Sequence, residues 1–286
     1  MKEIKGTLIP VGGNEDKGKD DRESYSLDFV TDGILSHVVR CAGGPDSRIV
    51  VVTSASSIPE EVGPNYIQAF ARLGCKNVDH IHPTSKAEAD APEILELIEK
   101  ADGVMFSGGD QSKIVDYIAG TQMHAILQRR YREEEFVIAG TSAGAMCMST
   151  EMIMGGSAAD SFFKGAVLMR EGMDFAPELI IDSHFIQRGR FGRLAEAVAR
   201  FPHLLGVGLA EDTGLIIEKG RDVCVIGSGM VILMDPSNLT HNNEKLLDEG
   251  VPMTLTNLTT HVLSNSDAFR IDTREITILP IDADFV

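Results

Sequence analysis

The sharpest chemical signal is Gly140-Thr141-Ser142-Ala143-Gly144, a G-x-S-x-G run that follows a short apolar stretch and precedes a helix-like one. In a strand-to-helix turn, small flanking residues let the chain reverse sharply and lift the serine hydroxyl clear of the sheet. The backbone N–H of Ala143 then faces the point where an oxyanion develops in acyl transfer. A hydroxyl becomes a useful nucleophile only when a base takes its proton. Of the eight histidines, His184 is the expected base. It closes the run Leu179 to Ile181 within Asp182-Ser183-His184-Phe185. Residues just past the C-terminal ends of parallel strands gather at one edge, and Ser142 is expected at that edge. The third member must be a carboxylate that orients the imidazole. Glu211, at the end of another strand-like run, is the first candidate; Asp160 is a rival and Asp212 a weaker one. With Glu211 the chain order is Ser, His, acid, which is not the α/β-hydrolase order.

Three further groups bear on binding. Gly108-Gly109-Asp110-Gln111 follows an apolar run; a glycine pair there permits close backbone approach, so the Gly109 N–H is the expected second oxyanion donor. Gln111 is placed to hold a substrate carbonyl or amide. Arg188, Arg190 and Arg193 stand out in an acidic chain, and guanidinium groups pair with carboxylates in bidentate fashion. Gly13 to Asp20 is a near miss to the P-loop: its last position is Asp, and Glu15 and Asp16 would repel phosphates, so nucleotide binding is rejected. Glu15 or Asp16 is instead expected near the active edge, facing a substrate guanidinium. His80 and His82 share one face of a strand with no third ligand evident, so no metal is expected.

The elements that must position these residues alternate through the first half. Strands are expected at Thr7–Val11, Arg48–Ser54, Val78–His82, Val104–Ser107 and Phe136–Ala139. Helices are expected at Tyr25–Arg40, Glu60–Leu73, Pro92–Lys100 and Ile114–Arg132. Short apolar runs joined by helices argue for an α/β fold with a parallel sheet covered on both faces. After Ser142 come a strand at Leu179–Ile181 and a helix at Phe191–Arg200, and then strands dominate. Gly208–Glu218, Asp222–Gly227 and Met230–Met234 read as antiparallel, with further strands near Leu255–Leu263 and Glu275–Leu279. No linker or repeat divides the chain, so residues 1–286 are read as a single domain.

The 286 residues carry a formal net charge of −17 with 43% hydrophobic residues. A general nucleic-acid binder is excluded by that acidity. The apolar runs are too short for a membrane span. Cys41, Cys75, Cys147 and Cys224 are scattered without a CxxC pair, which fits reduced thiols in the cytoplasm.

Taken together, the chain resembles the cyanophycinases, serine exopeptidases of the peptidase E-like clan. The matching stretches are Gly12 to Lys17, Ser107 to Gln111, Gly140 to Ala145, Asp182 to Phe185 with Arg188 to Leu194, Glu211-Asp212-Thr213 and Val262-Leu263-Ser264, in order along nearly the whole chain. The resemblance implies a sandwich around a parallel sheet, as in class I glutamine amidotransferases and peptidase E. It implies Ser142 as nucleophile, His184 as base and Glu211 as acid, with Gln111, Asp182, Arg188, Arg190 and Arg193 in the substrate site beside Ser183. The family commonly has Gln where this chain has Ser183. The implied substrate is cyanophycin, a poly-aspartate with arginine in isopeptide linkage, and the product is the β-aspartyl-arginine dipeptide. A peptidase E-like dipeptidase acting on aspartyl or isoaspartyl peptides is the alternative. A homodimer without cofactors is implied.

Overall fold

The structure is a computed structural model and describes residues 3–19, 27–156 and 162–280. Strands and helices alternate first: β1 (Thr7–Val11), α1 (Ile34–Cys41), β2 (Arg48–Val52), α2 (Pro59–Arg72), β3 (Asn77–Ile81), α3 (Lys86–Ala89), α4 (Pro92–Lys100), β4 (Gly103–Phe106), α5 (Gln111–Ile118), α6 (Gln122–Glu133), β5 (Val137–Thr141) and the single turn α7 (Ala143–Met146). The rest is mostly strand: β6 (Glu151–Gly156), β7 (Val167–Glu171), β8 (Leu179–Asp182), then α8 (Phe191–Arg200), β9 (Leu205–Leu209), β10 (Thr213–Glu218), β11 (Asp222–Gly227) and β12 (Val231–Asp235). It closes with β13 (His241–Asn242), β14 (Leu255–Thr256), β15 (Thr259–Leu263), β16 (Ala268–Arg270) and β17 (Ile276–Thr277).

The main sheet runs β17-β16-β11-β10-β1-β5-β4-β2-β3. Its five first-half strands are parallel; β10, β11, β16 and β17 extend it antiparallel. Alternate residues serve opposite faces. Val50, Val52, Val104, Phe106 and Ile138 pack with Ile98 of α4, Ile114 of α5 and Leu127 of α6. Ile49, Val51, Met105, Val137 and Ala139 pack with Leu35 and Val38 of α1 and Tyr66 and Phe70 of α2. Burial on both faces is why these runs are continuously apolar. A second sheet, β15-β12-β9-β8, turns Leu179, Ile181, Val207 and Leu233 into the larger core and Ile180, Ile232 and Met234 toward Leu194 and Val198 of α8.

Several elements differ from expectation. The helix at Tyr25–Arg40 shortens to α1: the Asp28 carboxylate accepts the N–H groups of Val30 and Thr31, which forms a turn instead, and residues 20–26 lie outside the described set. The helix at Ile114–Arg132 splits into α5 and α6 at Gly120, where the Thr121 hydroxyl accepts the His124 N–H and caps α6. The strand at Gly208–Glu218 is two strands in two sheets. Ala210, Glu211 and Asp212 carry the chain between them, with Asp212 at φ 47°. The hairpin β6–β7 was not expected; its glycines and long polar side chains hide the strand alternation.

Candidate active site

The site forms where the two sheets meet. β5 delivers Thr141 to the end of the main sheet, and Ser142 turns the chain at φ 53°, ψ −110°, a conformation that non-glycine residues rarely hold. The Ser142 N–H donates to Val11 O of neighbouring β1 at 2.9 Å, and α7 starts at once. Close packing of that turn on β4 requires Gly144, because a Cβ there would sit 2.4 Å from the Phe106 carbonyl oxygen. The Ala143 N–H is a free donor of a helix start.

His184 comes from the second sheet, not from the main sheet that carries Ser142. It follows β8, sits at φ 46°, and donates its backbone N–H to Gly12 O at 2.7 Å, which fixes it across the boundary between sheets. Gly13 makes room for it: a Cβ there would lie 2.3 Å from the imidazole Cε1. Imidazole Nε2 is 3.0 Å from Ser142 Oγ, and Nδ1 is 2.6 Å from Glu211 Oε1. An ionised carboxylate only accepts, so Nδ1 carries the proton in neutral imidazole and Nε2 is left to accept from the serine hydroxyl. Glu211 sits on the crossover between β9 and β10; its Oε2 accepts from Asn14 Nδ2 at 3.2 Å and its N–H donates to Gln187 Oε1 at 3.3 Å. Of the rival acids, Asp160 lies outside the described residues. Asp212 is engaged elsewhere, accepting from Asp16 N–H and the Ser228 hydroxyl.

Ser142 and His184 open onto a cavity of about 540 Å³, also lined by Gly108, Gly109 and Arg188. Gly109 holds φ 140°, tight against Ala55. Gln111 is not in the lining: its Nε2 donates to Ile153 O at 3.0 Å and Met154 O at 2.8 Å, so it fastens β6 rather than a substrate. Asp182 is fully buried. Arg193 forks onto it, with Nε at 2.8 Å from Oδ2 and Nη2 on Oδ1, while Arg190 Nη1 reaches Oδ1 at 3.0 Å and Ser183 O at 2.7 Å. This corrects the expectation that all three arginines face substrate. Arg190 and Arg193 already hold a carboxylate, and Arg188 alone of the three lines the cavity. Ser183 is likewise turned inward, its hydroxyl 3.2 Å from Met146 Sδ.

Glu15 reaches the cavity but is 2% exposed and fully engaged. Tyr66 Oη donates to Oε1, Lys17 Nζ lies 2.9 Å from the same oxygen, and Thr141 Oγ1 donates to Oε2 at 2.6 Å. Burial pushes this carboxyl up, but Lys17 and the two hydroxyls outweigh it and hold it below the usual carboxylate range. A guanidinium therefore finds no open acceptor at Glu15, contrary to the expectation from sequence. The Asp16 carboxylate caps the Gly18 N–H at 2.8 Å. Lys17, Asn14 and Tyr66 were missed as cavity residues; the trace of Asn14 and Lys17 is a charged, glycine-bounded stretch after β1 that fails as a P-loop, and Tyr66 comes from α2. His80 and His82 both contact the Thr53 hydroxyl, and no cluster of metal-ligating side chains occurs among the described residues.

An α/β sheet that presents a serine on a strained strand-to-helix turn beside a histidine defines a serine-type hydrolase. Residues 31–224 match the model of peptidase family S51, and the chain belongs to that family of serine-type peptidases. Its relatives include a cyanophycinase of Trichormus variabilis, 34% identical over 96% of this chain and 88% of the relative. A cyanophycinase of Geminocystis herdmanii is 31% identical over 95% and 96%. Two solved structures share the fold. One is a peptidase from an acI-B1 actinobacterium, with TM-score 0.62, 18% identity, and coverage of 92% of this chain and 98% of that one. The other is a provisionally named peptidase E from Listeria monocytogenes EGD-e, with TM-score 0.53, 14% identity, and coverage of 79% and 100%. No described helix is long and apolar enough to cross a membrane.

Proposed function

We propose that this chain is a cyanophycin-degrading serine exopeptidase in which Ser142, His184 and Glu211 act as one relay. The observation that carries the reading is the continuous Ser142–His184–Glu211 contact, at 3.0 and 2.6 Å, opening onto the cavity. The relatives' names supply the substrate, a polymer with an aspartate backbone and arginyl side chains that each end in a free carboxylate. Ser142 Oγ attacks the scissile carbonyl carbon as Nε2 takes its proton. The oxyanion is held by the N–H groups of Ala143 and Gly109, each worth about 3 kcal/mol. Collapse breaks the C–N bond, and the amine leaves with the proton from Nε2. Water then attacks the acyl ester by the same route and regenerates the serine. Glu211 keeps the imidazole in its working tautomer and stabilises the imidazolium. Arg188 binds an arginyl carboxylate.

The same relay serves a peptidase E-like dipeptidase, the reading that the Listeria neighbour favours. That enzyme would cleave small aspartyl or isoaspartyl peptides and leave the polymer intact. The unit is proposed to act as a single peptidase domain, in a cytoplasmic homodimer, without cofactor or metal. A fluorophosphonate probe tests the nucleophile: covalent label is expected on the peptide containing Ser142, and to be lost in Ser142→Ala and His184→Ala. Label elsewhere, or none on folded protein, sinks the relay.

A further inference from the structure

Lys17 lines the same cavity as Ser142, yet the hydrolytic relay makes no use of it. Its ammonium is held in place from two sides. Nζ lies 2.9 Å from Glu15 Oε1 and 4.8 Å from the centroid of the Tyr66 ring, a cation–π distance. An ammonium has three donors. One serves Glu15 Oε1, and a longer contact of 3.4 Å reaches Glu15 O. A third remains, on a side chain that is 25% exposed. Arg188 also lines the cavity, and among the described residues its guanidinium makes no hydrogen bond or ion pair. Glu15, by contrast, has both oxygens occupied. A chain with net charge −17 thus presents cationic donors at this cavity.

We propose that Lys17 is a substrate-binding residue that holds a carboxylate of the substrate, as a second cationic anchor beside Arg188. The assignment rests on the serine exopeptidase reading and adds to it. Glu15 gives the anchor its precision. Its Oε1 side holds Lys17, and its Oε2 side takes the hydroxyl of Thr141, the residue before the nucleophile. One buried carboxylate therefore sets the distance between the ammonium and Ser142. A donor already fixed in this way loses little freedom on binding. In the proposed substrate the carboxylate has two sources: the end of the main chain, or the α-carboxylate of an arginyl unit.

Steady-state kinetics on a synthetic oligomer of β-aspartyl-arginine units separates them. The oligomer is used free, as its main-chain terminal amide, and with its arginines as argininamide. Lys17→Gln is expected to raise KM about tenfold to a hundredfold with kcat nearly unchanged. For wild type, one of the two amides should show the same rise, and on that amide Lys17→Gln should add nothing; which amide it is names the source. The competing explanation is that Lys17 only neutralises buried Glu15. The double variant Glu15→Gln/Lys17→Gln removes that demand and also covers failure of the single variant to fold. Recovery of wild-type KM in the double variant overturns the proposal, as does a wild type indifferent to both amides. If wild type cuts none of the oligomers, the exopeptidase reading fails separately. The anchor is then read from calorimetric binding of the β-aspartyl-arginine dipeptide and its bis-amide to Ser142→Ala protein, with and without Lys17→Gln. Equal binding of dipeptide and amide overturns it.

Discussion

The basic residues of the site fall into two pairs that differ in what holds them. Arg190 and Arg193 are folded onto the fully buried Asp182, Arg193 itself buried and Arg190 mostly so. Arg188 and Lys17 stand at the cavity, one without a partner among the described residues and one held by a carboxylate that leaves a donor over. Spacing in the chain groups the three arginines; geometry divides them. Arg190 is the N-cap of α8 and Arg193 lies one turn on, so both fall on the face toward the end of β8. Arg188 precedes the helix and escapes that face. A basic residue becomes a ligand-binding residue when no buried carboxylate has claimed it. The Asp182 cluster instead stiffens the segment that carries His184, only two residues further on.

Breaking the comparison starts at the Ser142–His184–Glu211 relay. Glu211→Gln keeps the shape but lets Nδ1 take the wrong proton arrangement; kcat should fall about 10⁴-fold with the denaturation midpoint nearly unchanged. A loss under tenfold in stopped assays of purified protein would point to another acid. The next largest effect contrasts the two clusters directly. Asp182→Ala leaves the buried Arg193 guanidinium without its carboxylate, and Arg190 with only Ser183 O, and should cost about 3–5 kcal/mol in urea unfolding. Arg188→Ala should change stability by about 0.5 kcal/mol or less while KM rises. If Arg188→Ala destabilises as much as Asp182→Ala, the division between clusters is wrong.

Ser183→Gln sharpens the picture further. The serine hydroxyl packs on Met146 inside the protein, so a longer side chain overfills that space and should cost about 1–3 kcal/mol. A gain in catalytic efficiency without loss of stability would mean that this position reaches the substrate after all. The smallest effect is expected at Glu196 on α8. Burial raises its carboxyl above the ordinary value of 4.5, and Oε2 has no hydrogen-bond partner among the described residues. A raised folded-state value means that the folded protein holds the proton more tightly. Stability is therefore greatest below the ordinary value and is lost as pH rises through the raised one. Glu196→Gln, which mimics the protonated form, should raise Tm slightly at about pH 8 and make no difference at about pH 4. A difference that grows toward acid pH would contradict this sign.

The parallel strands and the serine turn were legible because their causes are local: buried valines and isoleucines in short runs, and small residues around Ser142. His184 was found by an incomplete route. It sits at a strand end, but that strand belongs to the second sheet, and contacts across the sheet boundary such as the Gly12–His184 backbone bond bring it to the serine. Apolar runs do not say which sheet they join. Glu211 falls inside the single strand expected at Gly208–Glu218, whereas the chain breaks there between β9 and β10, and its side chain meets Nδ1. Gln111 has the right chemistry for substrate but faces Ile153 and Met154, partners distant in the chain; Arg190 and Arg193 face Asp182, close in the chain, but only the packing of α8 against the end of β8 shows it. Lys17 stayed hidden for a related reason: its position depends on Glu15, Thr141 and Tyr66 converging from three separate elements.

The most direct measurement is mass spectrometry of the soluble products after purified protein is incubated with cyanophycin, beside Ser142→Ala. Release of β-aspartyl-arginine by the unaltered protein, and none by Ser142→Ala, is the expected result. Intact polymer with a folded wild-type protein, or the same dipeptide released by Ser142→Ala, would contradict it.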